Sequence, residues 1–336
     1  MDEEHPGVQP VSDFGARAFF DDIKSEGSEY SPTGSEYSME DEHVAELIRQ
    51  ALALDASGQY EEMLRVAQEA SLLDPGSALA LACQARALQK LQRISEATIA
   101  NDQALLLDTS LPLAWLNRSG LQVLQQRFQE GLRSAERAVT LAPEDVRAWA
   151  NKGMALLNLH YVLEALDAFN AGLEHDPDFL FILQMKGELL HSLGRMNEAI
   201  PIVRRILEIA PDDLRALTLA IQTFSAIEDY AALPPLTERL VRLMPDSLFA
   251  WESHMRGLRS TGCFEEAQEA IEHVLSFEPN NVHFWTMKAD TLYRLGNYRH
   301  AAAVAQHALQ IDADYPPARR IHEKAVRLMY QRKGKT

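Results

Sequence analysis

Hydrophobic residues recur at helical spacing from about residue 44 to the C-terminal region, and no stretch of useful length alternates as a β-strand would. In residues 146–179 the pattern predicts one helix from Val146 to Leu159 and a second from about Tyr161 to Glu174. Pro177 then interrupts the chain, because proline lacks the donor that would continue a helix. Glycines mark the turn inside several such pairs, at Gly58, Gly194, Gly262 and Gly296. The sequence therefore predicts a series of paired helices.

The pairs repeat with a period of 34 residues. All four tryptophans fall on this register, at Trp115, Trp149, Trp251 and Trp285. Six prolines share it, at Pro75, Pro143, Pro177, Pro211, Pro245 and Pro279. A fixed period of this length predicts a stacked array of similar units. Counting from these landmarks gives eight repeats: 44–77, 78–111, 112–145, 146–179, 180–213, 214–247, 248–281 and 282–315.

The register resembles that of the tetratricopeptide repeat, which has a tryptophan, small residues, an aromatic residue and a proline at set offsets. The matching positions of the fourth repeat are Trp149, Gly153, Leu156, Ala165, Phe169, Gly172 and Pro177. The small residue of the second helix recurs as Ala97, Ala165, Ala199, Ala267 and Ala301. The resemblance implies an all-α fold, an α-solenoid of eight helix-turn-helix repeats forming a right-handed superhelix with a C-terminal capping helix. The tryptophans are then expected to pack between helices.

The sixth repeat departs furthest from this pattern. Leu217 stands at the tryptophan position, Ile221 at the glycine and Leu233 at the alanine. Pro234 and Pro235 follow just after the start of its second helix, where proline is best tolerated. We expect a local change of stacking there.

The composition of the chain predicts three segments. Residues 1–42 carry twelve acidic and two basic residues and predict an acidic disordered tail. Within it, Ala16, Phe19, Phe20 and Ile23 have the spacing of one helical face, typical either of stray apolar residues or of a recognition helix that folds on a partner. Residues 43–315 form the array, and residues 316–336 predict a basic capping helix and tail.

The resemblance implies that the first helices line a concave groove that holds a peptide or a partner's helix. Groove positions carry eight bases: Arg49, Arg86, Lys90, Arg147, Arg215, Arg256, Arg259 and Arg294. They carry four acids: Asp55, Glu188, Glu252 and Asp290. A basic groove in a chain of net charge −17 favours an acidic ligand. Scattered arginines on exposed helix faces are also common, so chance placement stays open.

Eight of the groove residues are candidate peptide contacts: Arg86, Asn117, Arg147, Asn151, Phe181, Arg215, Phe249 and Arg256. Asparagine is a poor helix former, so Asn117 and Asn151 suggest amides presented to a peptide backbone. The carboxylate clamp of related co-chaperones is incomplete, since Ala82 and Asn151 replace two of its basic residues. The apolar candidates, with Met185 and Met287 beside them, are also compatible with ordinary packing.

The function predicted is a non-catalytic protein–protein interaction scaffold. The alternatives are a regulatory subunit or assembly chaperone of a larger complex, autoinhibition by the acidic tail in the groove, and an RNA-binding array suggested only by the basic C-terminal helix. The acidic net charge argues against nucleic acid, and no apolar run reaches the length of a membrane span. No cofactor or metal is expected, because His322–Glu323, His300 and His307 lack the partners of a zinc site. Two distant cysteines and the acidic N-terminus favour the cytoplasm.

Overall fold

The computed structural model describes residues 39–333, and these form helices joined by short turns, with no strand among them. Up to residue 192 the helices are α1 (Met39–Ala56), α2 (Tyr60–Leu73), α3 (Ala78–Lys90), α4 (Ile94–Leu107), α5 (Pro112–Leu124), α6 (Phe128–Leu141), α7 (Val146–Asn158), α8 (Val162–His175) and α9 (Leu180–Ser192). From residue 193 they are α10 (Met196–Ile209), α11 (Leu214–Ala226), α12 (Leu233–Leu243), α13 (Leu248–Thr261), α14 (Phe264–Phe277), α15 (Val282–Arg294), α16 (Tyr298–Ile311) and α17 (Pro316–Lys333).

The described residues divide into two compact units after Ser192, residues 39–192 and 193–333, which we call the N-terminal and C-terminal units. Their boundary lies between α9 and α10, inside the fifth predicted repeat. In both units each helix packs against the next one along the chain. The fold is an all-α helical repeat solenoid, as the 34-residue period predicts.

Close approach within a helix pair depends on small residues. The recurrent alanines of the second helices are fully buried in both units, which confirms their predicted packing role. In the fourth repeat, Gly153 of α7 makes room for the ring of Phe169 on α8. A Cβ at residue 153 would lie 2.3 Å from Phe169 Cε1, so only glycine fits opposite this fully buried ring.

The tryptophans fix the joint between one helix pair and the next. All four are half-buried, and each indole Nε1 donates a hydrogen bond of 2.7–2.8 Å to the carbonyl six residues earlier, at Thr109, Pro143, Pro245 or Pro279. The tryptophans therefore pack between helices, as expected, and each is also hydrogen-bonded to the preceding turn. That carbonyl lies in the turn two residues after the previous second helix, so the bond joins each tryptophan's helix to the turn that precedes it.

The turn inside each pair requires a left-handed residue. Positive φ occurs at 34-residue intervals, at Gly58, Gln92, Gln126, His160, Gly194, Glu228, Gly262 and Gly296. Glycine adopts this conformation without steric cost, whereas a residue with a Cβ is strained there. The turn geometry is thus kept even where glycine is replaced.

The prolines of the sixth repeat lie at the start of its second helix, as predicted, and the last helix packs on the end of the array. A short 3-10 turn, Tyr230–Ala232, precedes α12, and Pro234 lies in the first turn of that helix, where its missing N–H costs nothing. At the end of the array, α17 packs on α15 and α16 through the buried Ala325. Arg320, Lys324 and Arg327 of α17 are exposed.

The expectations for the acidic tail, including its disorder and the stripe from Ala16 to Ile23, lie outside the described residues. Helix α1 begins at Met39, four residues before the boundary predicted at residue 43. None of the described helices has the length and apolarity needed to cross a membrane.

Candidate ligand-binding surface

Successive first helices of the N-terminal unit pack directly on one another: α1 on α3, α3 on α5 and α5 on α7. Hydrogen bonds from two asparagine side chains join these helices. Asn117 Nδ2 donates to Ala82 O at 2.9 Å, and Asn151 Nδ2 donates to Leu116 O at 3.1 Å and to Ser119 Oγ at 2.6 Å. Each bond joins one first helix to the preceding one.

These contacts change the interpretation of both asparagines. Asn117 is 1% exposed and Asn151 is 5% exposed, so the amides expected to face a peptide lie in the interior instead. The reason is the close spacing of the first helices, which brings the backbone carbonyls of one helix within reach of the next helix's side chains. The asparagines bind this chain's own backbone.

Two further candidates, Arg86 and Arg147, meet in a buried charge cluster of the same unit. Arg86 Nε lies 3.3 Å from Asp55 Oδ1, and both side chains are about 95% buried. Arg147 reaches Asp55 at 3.9 Å and forms a bidentate pair with Asp145, at 2.9 Å from Nε to Oδ1 and 2.7 Å from Nη2 to Oδ2. We call these four residues the N-terminal cluster; its charge is balanced, with two guanidinium groups for two carboxylates.

Burial and pairing act in opposite directions inside the N-terminal cluster. Burial favours the uncharged form of Asp145, but Arg147 and its hydrogen bonds outweigh burial and hold the pKa of Asp145 below its ordinary value. Burial also opposes the charge of Arg147, while Asp145 and Asp55 raise its pKa overall. Both groups are therefore charged at neutral pH, and they satisfy each other rather than an external ligand.

The C-terminal unit holds a related cluster with a different balance. Arg259 Nη2 of α13 donates to Asp290 Oδ2 of α15 at 2.6 Å, and Arg294 Nε donates to the same oxygen at 3.0 Å. Arg259 Nε is buried and has no hydrogen-bond partner among the described residues. We call these three residues the C-terminal cluster. Two guanidinium groups share one carboxylate, which leaves an excess positive charge.

The pKa of Arg259 is lowered mainly by burial. Burial lowers it from its ordinary value, Asp290 acts in the opposite direction, and the neighbouring Arg294 lowers it further. Arg259 stays protonated because its pKa begins so high. A second carboxylate placed here would relieve the repulsion between Arg259 and Arg294 and give the Nε donor a partner.

The remaining candidates divide between core and surface. Phe181 is fully buried in α9, as is Met185 one turn further on, so both pack in the core of the N-terminal unit. Arg215 of α11 is half-buried. Phe249 of α13 is 42% exposed, and the 53% exposed Arg256 side chain pairs with Glu252 one turn earlier.

Sequence reasoning placed Arg259, Asp290 and Arg294 in the groove but did not choose them as contacts. The missed signal is a spacing: Arg259 and Asp290 lie 31 residues apart, as do Asp55 and Arg86. Each pair joins one first helix to the next, with the signs of the charges exchanged. Only the pair in the N-terminal unit has a second carboxylate beside it.

A pocket of about 100 Å³ lies between α4 and α5, where Asn101 occupies the position that Phe169 fills two repeats later. This volume has room for about three water molecules.

Within residues 39–333, no three histidine, cysteine or acidic side chains converge as a metal site would need. His307 meets the edge of Trp285 at 4.4 Å, and His300 Nδ1 contacts Asn297 Oδ1 at 2.8 Å. Burial raises the pKa of the Cys83 thiol to about 12, so it is unreactive at neutral pH.

Comparison with known proteins agrees with this architecture. A family model described as tetratricopeptide repeat matches residues 122–179 and 256–316, and a second model of the same description matches residues 182–213. None of the curated proteins matches the sequence.

Three solved structures illustrate the similarity. The chain is 24% identical to pilF of Pseudomonas aeruginosa over 64% of its own length and 98% of that chain, with a TM-score of 0.57. For the thermophilic protein TTC0263 of Thermus thermophilus the identity is 22%, the coverage 55% and 99%, and the TM-score 0.47. For a tetratricopeptide repeat protein of Parabacteroides merdae the identity is 17%, the coverage 74% and 98%, and the TM-score 0.45. The likeness to pilF shows the fold alone.

Proposed function

We propose that this chain, which belongs to the tetratricopeptide repeat family, is a non-catalytic scaffold that binds an acidic segment of a partner protein. Proteins of this family are generally interaction scaffolds that bind protein partners or peptides. The proposal assigns the binding surface to the first helices of the C-terminal unit, α13 and α15.

The C-terminal cluster carries the proposal. Its excess guanidinium charge and its unpaired Nε donor are what a carboxylate would satisfy, through charge-assisted hydrogen bonds. The N-terminal cluster is the internal comparison: Arg86 Nη2 is also buried there without a partner among the described residues, but Asp145 supplies a second carboxylate that the C-terminal cluster lacks. The two clusters therefore differ in charge balance and not in having an unpaired donor. An acidic side chain of a partner would complete the same arrangement.

The ligand would also carry an apolar side chain. Phe249, Arg256 and Arg259 follow one another along α13, and Phe249 is exposed although it is aromatic. Ten residues of helix separate Phe249 from Arg259, which is about 15 Å at 1.5 Å per residue. An extended peptide spans that distance in about five residues. We therefore expect an apolar residue four to five positions from the acidic one.

A peptide-display selection tests the proposal without a known partner. Random 12-residue peptides are selected on the full chain and on variants with Arg259→Gln or Arg294→Gln. Arg299→Gln is the matched control, because Arg299 is an exposed arginine on the second helix α16. The selected peptides are then labelled, and their affinity is measured by fluorescence anisotropy at low and high salt.

The proposal predicts peptides enriched in aspartate and glutamate, with affinity reduced about tenfold or more by Arg259→Gln and unchanged by Arg299→Gln. Affinity should fall with added salt. Selected peptides without acidic enrichment, or equal binding to the Arg259→Gln variant, would contradict it. A role as regulatory subunit or assembly chaperone would use the same surface with a larger partner interface.

A further inference from the structure

The second helices of the first two repeats expose an unusual set of leucines. Leu72 at the end of α2 is 82% exposed, and Leu106 at the equivalent position of α4 is 84% exposed. Their neighbours Leu73, Ile99 and Leu107 are also at least half exposed. We call these five residues the leucine patch. Single exposed leucines are ordinary, but a set repeated on the second helices of two consecutive repeats is a candidate docking surface.

The two most exposed leucines, Leu72 and Leu106, occupy a position that is polar in the later repeats. At the positions equivalent to Leu72 and Leu106, α6 has Thr140 and α8 has Glu174. A requirement of the repeat itself would recur in every pair, so Leu72 and Leu106 are not needed for stacking. The position of Leu73 and Leu107 differs, because it is apolar again at Ile209, Leu243 and Phe277. Leu72 and Leu106 lie where the chain enters the array.

We propose that the N-terminal segment Ala16–Lys24 of the same chain covers the leucine patch. Ala16, Phe19, Phe20 and Ile23 have the spacing of one helical face. This stripe would bury two aromatic rings against the aliphatic side chains of the leucine patch. The proposed site is on the second helices and is separate from the surface assigned to an external ligand.

The path of the chain supports this occupant. Helices α1 and α2 are neighbours joined by a three-residue turn, and α1 is four residues longer than α2. The start of α1 at Met39 therefore lies about 7 Å beyond the level of Leu72, at 1.5 Å of rise per residue. Fifteen residues lie between Ile23 and Met39, and the sixteen Cα–Cα steps that they make can span at most about 55 Å. One helix spacing, about 10 Å, separates neighbouring packed helices. The segment therefore reaches the leucine patch easily, and tethering gives it a high effective concentration there.

Charge favours this part of the tail over the rest. Arg17 and Lys24 are the only bases in residues 1–42, and at helical spacing they flank the apolar stripe on the same side. The leucine patch is bordered by the exposed acids Glu69 and Asp74. The remainder of the tail is strongly acidic and would be repelled by that border.

Hydrogen exchange of the full chain, read by mass spectrometry, tests the assignment. Leu72→Ser combined with Leu106→Ser removes the surface, and because both side chains are exposed the fold should be unaffected. Leu163→Ser is the matched control, since Leu163 is 66% exposed on α8. In the tail, Phe19→Ser with Phe20→Ser removes the stripe, and Tyr30→Ser with Tyr37→Ser is the control.

The amides of residues 16–24 should exchange about tenfold more slowly in the native chain than in the Leu72→Ser/Leu106→Ser variant. The Phe19→Ser/Phe20→Ser variant should likewise lose this protection. Both control variants should behave as the native chain does, and the protection should not depend on protein concentration. In addition, p-benzoylphenylalanine at position 20 should crosslink to α2 or α4.

Three results would overturn the proposal. Equal exchange of residues 16–24 in the native chain and the Leu72→Ser/Leu106→Ser variant would show that the leucine patch binds nothing in the tail. Protection lost in Arg259→Gln but kept in the leucine variant would move the tail to the groove. Protection that appears only at high protein concentration would assign the patch to a second copy of the chain.

Discussion

Replacing Asn151 with alanine separates a structural role for this residue from a ligand-binding one. The carboxamide joins α7 to α5 through two hydrogen bonds, to Leu116 O and to Ser119 Oγ, and it is 5% exposed. If the amide binds the chain's own backbone, its loss should reduce stability. If it binds a ligand, its loss should reduce affinity with little effect on stability.

The size of the effect follows from the two bonds. Each buried hydrogen bond contributes about 0.5–1.5 kcal/mol net, so Asn151→Ala should cost about 1–3 kcal/mol. Ser119 Oγ also donates to Leu116 O at 2.8 Å, so that carbonyl keeps a partner and the cost stays in this range. Asn117→Ala should cost less, because Asn117 makes one such bond and its Oδ1 has no partner among the described residues.

Urea unfolding followed by circular dichroism at equilibrium measures both variants. Asn158→Ala is the matched control, since Asn158 is an exposed asparagine of α7 that donates only within its own helix. We expect the unfolding free energies to fall in the order Asn158→Ala, Asn117→Ala, Asn151→Ala, from highest to lowest. An Asn151→Ala variant within about 0.5 kcal/mol of the control, but with weakened peptide binding, would refute the reasoning and make Asn151 a ligand contact.

Three other predictions concern packing, turns and pH. Gly153→Ala places a methyl group 2.3 Å from the Phe169 ring and should lower the free energy of unfolding in urea by about 1–3 kcal/mol. Adding Phe169→Leu to this variant should recover part of the lost stability. Purely additive effects of the two substitutions would argue against the clash. Gln92→Gly relieves the strain of a residue with a positive φ of 61° and should raise stability by up to about 1 kcal/mol. Gly194→Ala should lower stability. A change of stability in the same direction for both variants would exclude turn strain as the cause. Burial lowers the pKa of His254 in the folded state, so the unfolded chain binds this proton more tightly and stability should fall as the pH drops below about 6.5. His254→Asn keeps a donor for Thr237 Oγ1 and should remove that share of the pH dependence in thermal unfolding; an unchanged slope between pH 7.5 and 5.5 would assign it elsewhere.

The repeat architecture was predictable because its signals are local and recur. The tryptophans, the turn glycines and the small alanines of the second helices stand at a fixed spacing, and each has the packing role that its size allows. The predicted start of α7 at Val146 is observed, and its end at Asn158 is one residue earlier than predicted. The period of the sequence predicts these features because each repeat contacts mainly the repeats next to it.

The candidate surface was harder to predict because it depends on contacts between repeats. Asn117 and Asn151 occupy groove positions by sequence, but the spacing between first helices, which no single repeat determines, places them in the interior. The same spacing decides that Arg86 is buried beside Asp55 while Arg256 is exposed. Net charge along the groove could be counted from the sequence, whereas the balance inside each cluster required the distances.

The nuclear magnetic resonance signal of the Arg259 Nε–H group shows directly whether the C-terminal cluster binds a carboxylate of a ligand. This donor is buried without a partner in the described part of the chain, and it belongs to the cluster in which two guanidinium groups share Asp290. On titration with an acidic peptide from the display selection, we expect this resonance to shift downfield and to saturate with the binding curve, while that of Arg299 stays unchanged. A saturated complex in which the Arg259 Nε–H resonance does not move would contradict the account.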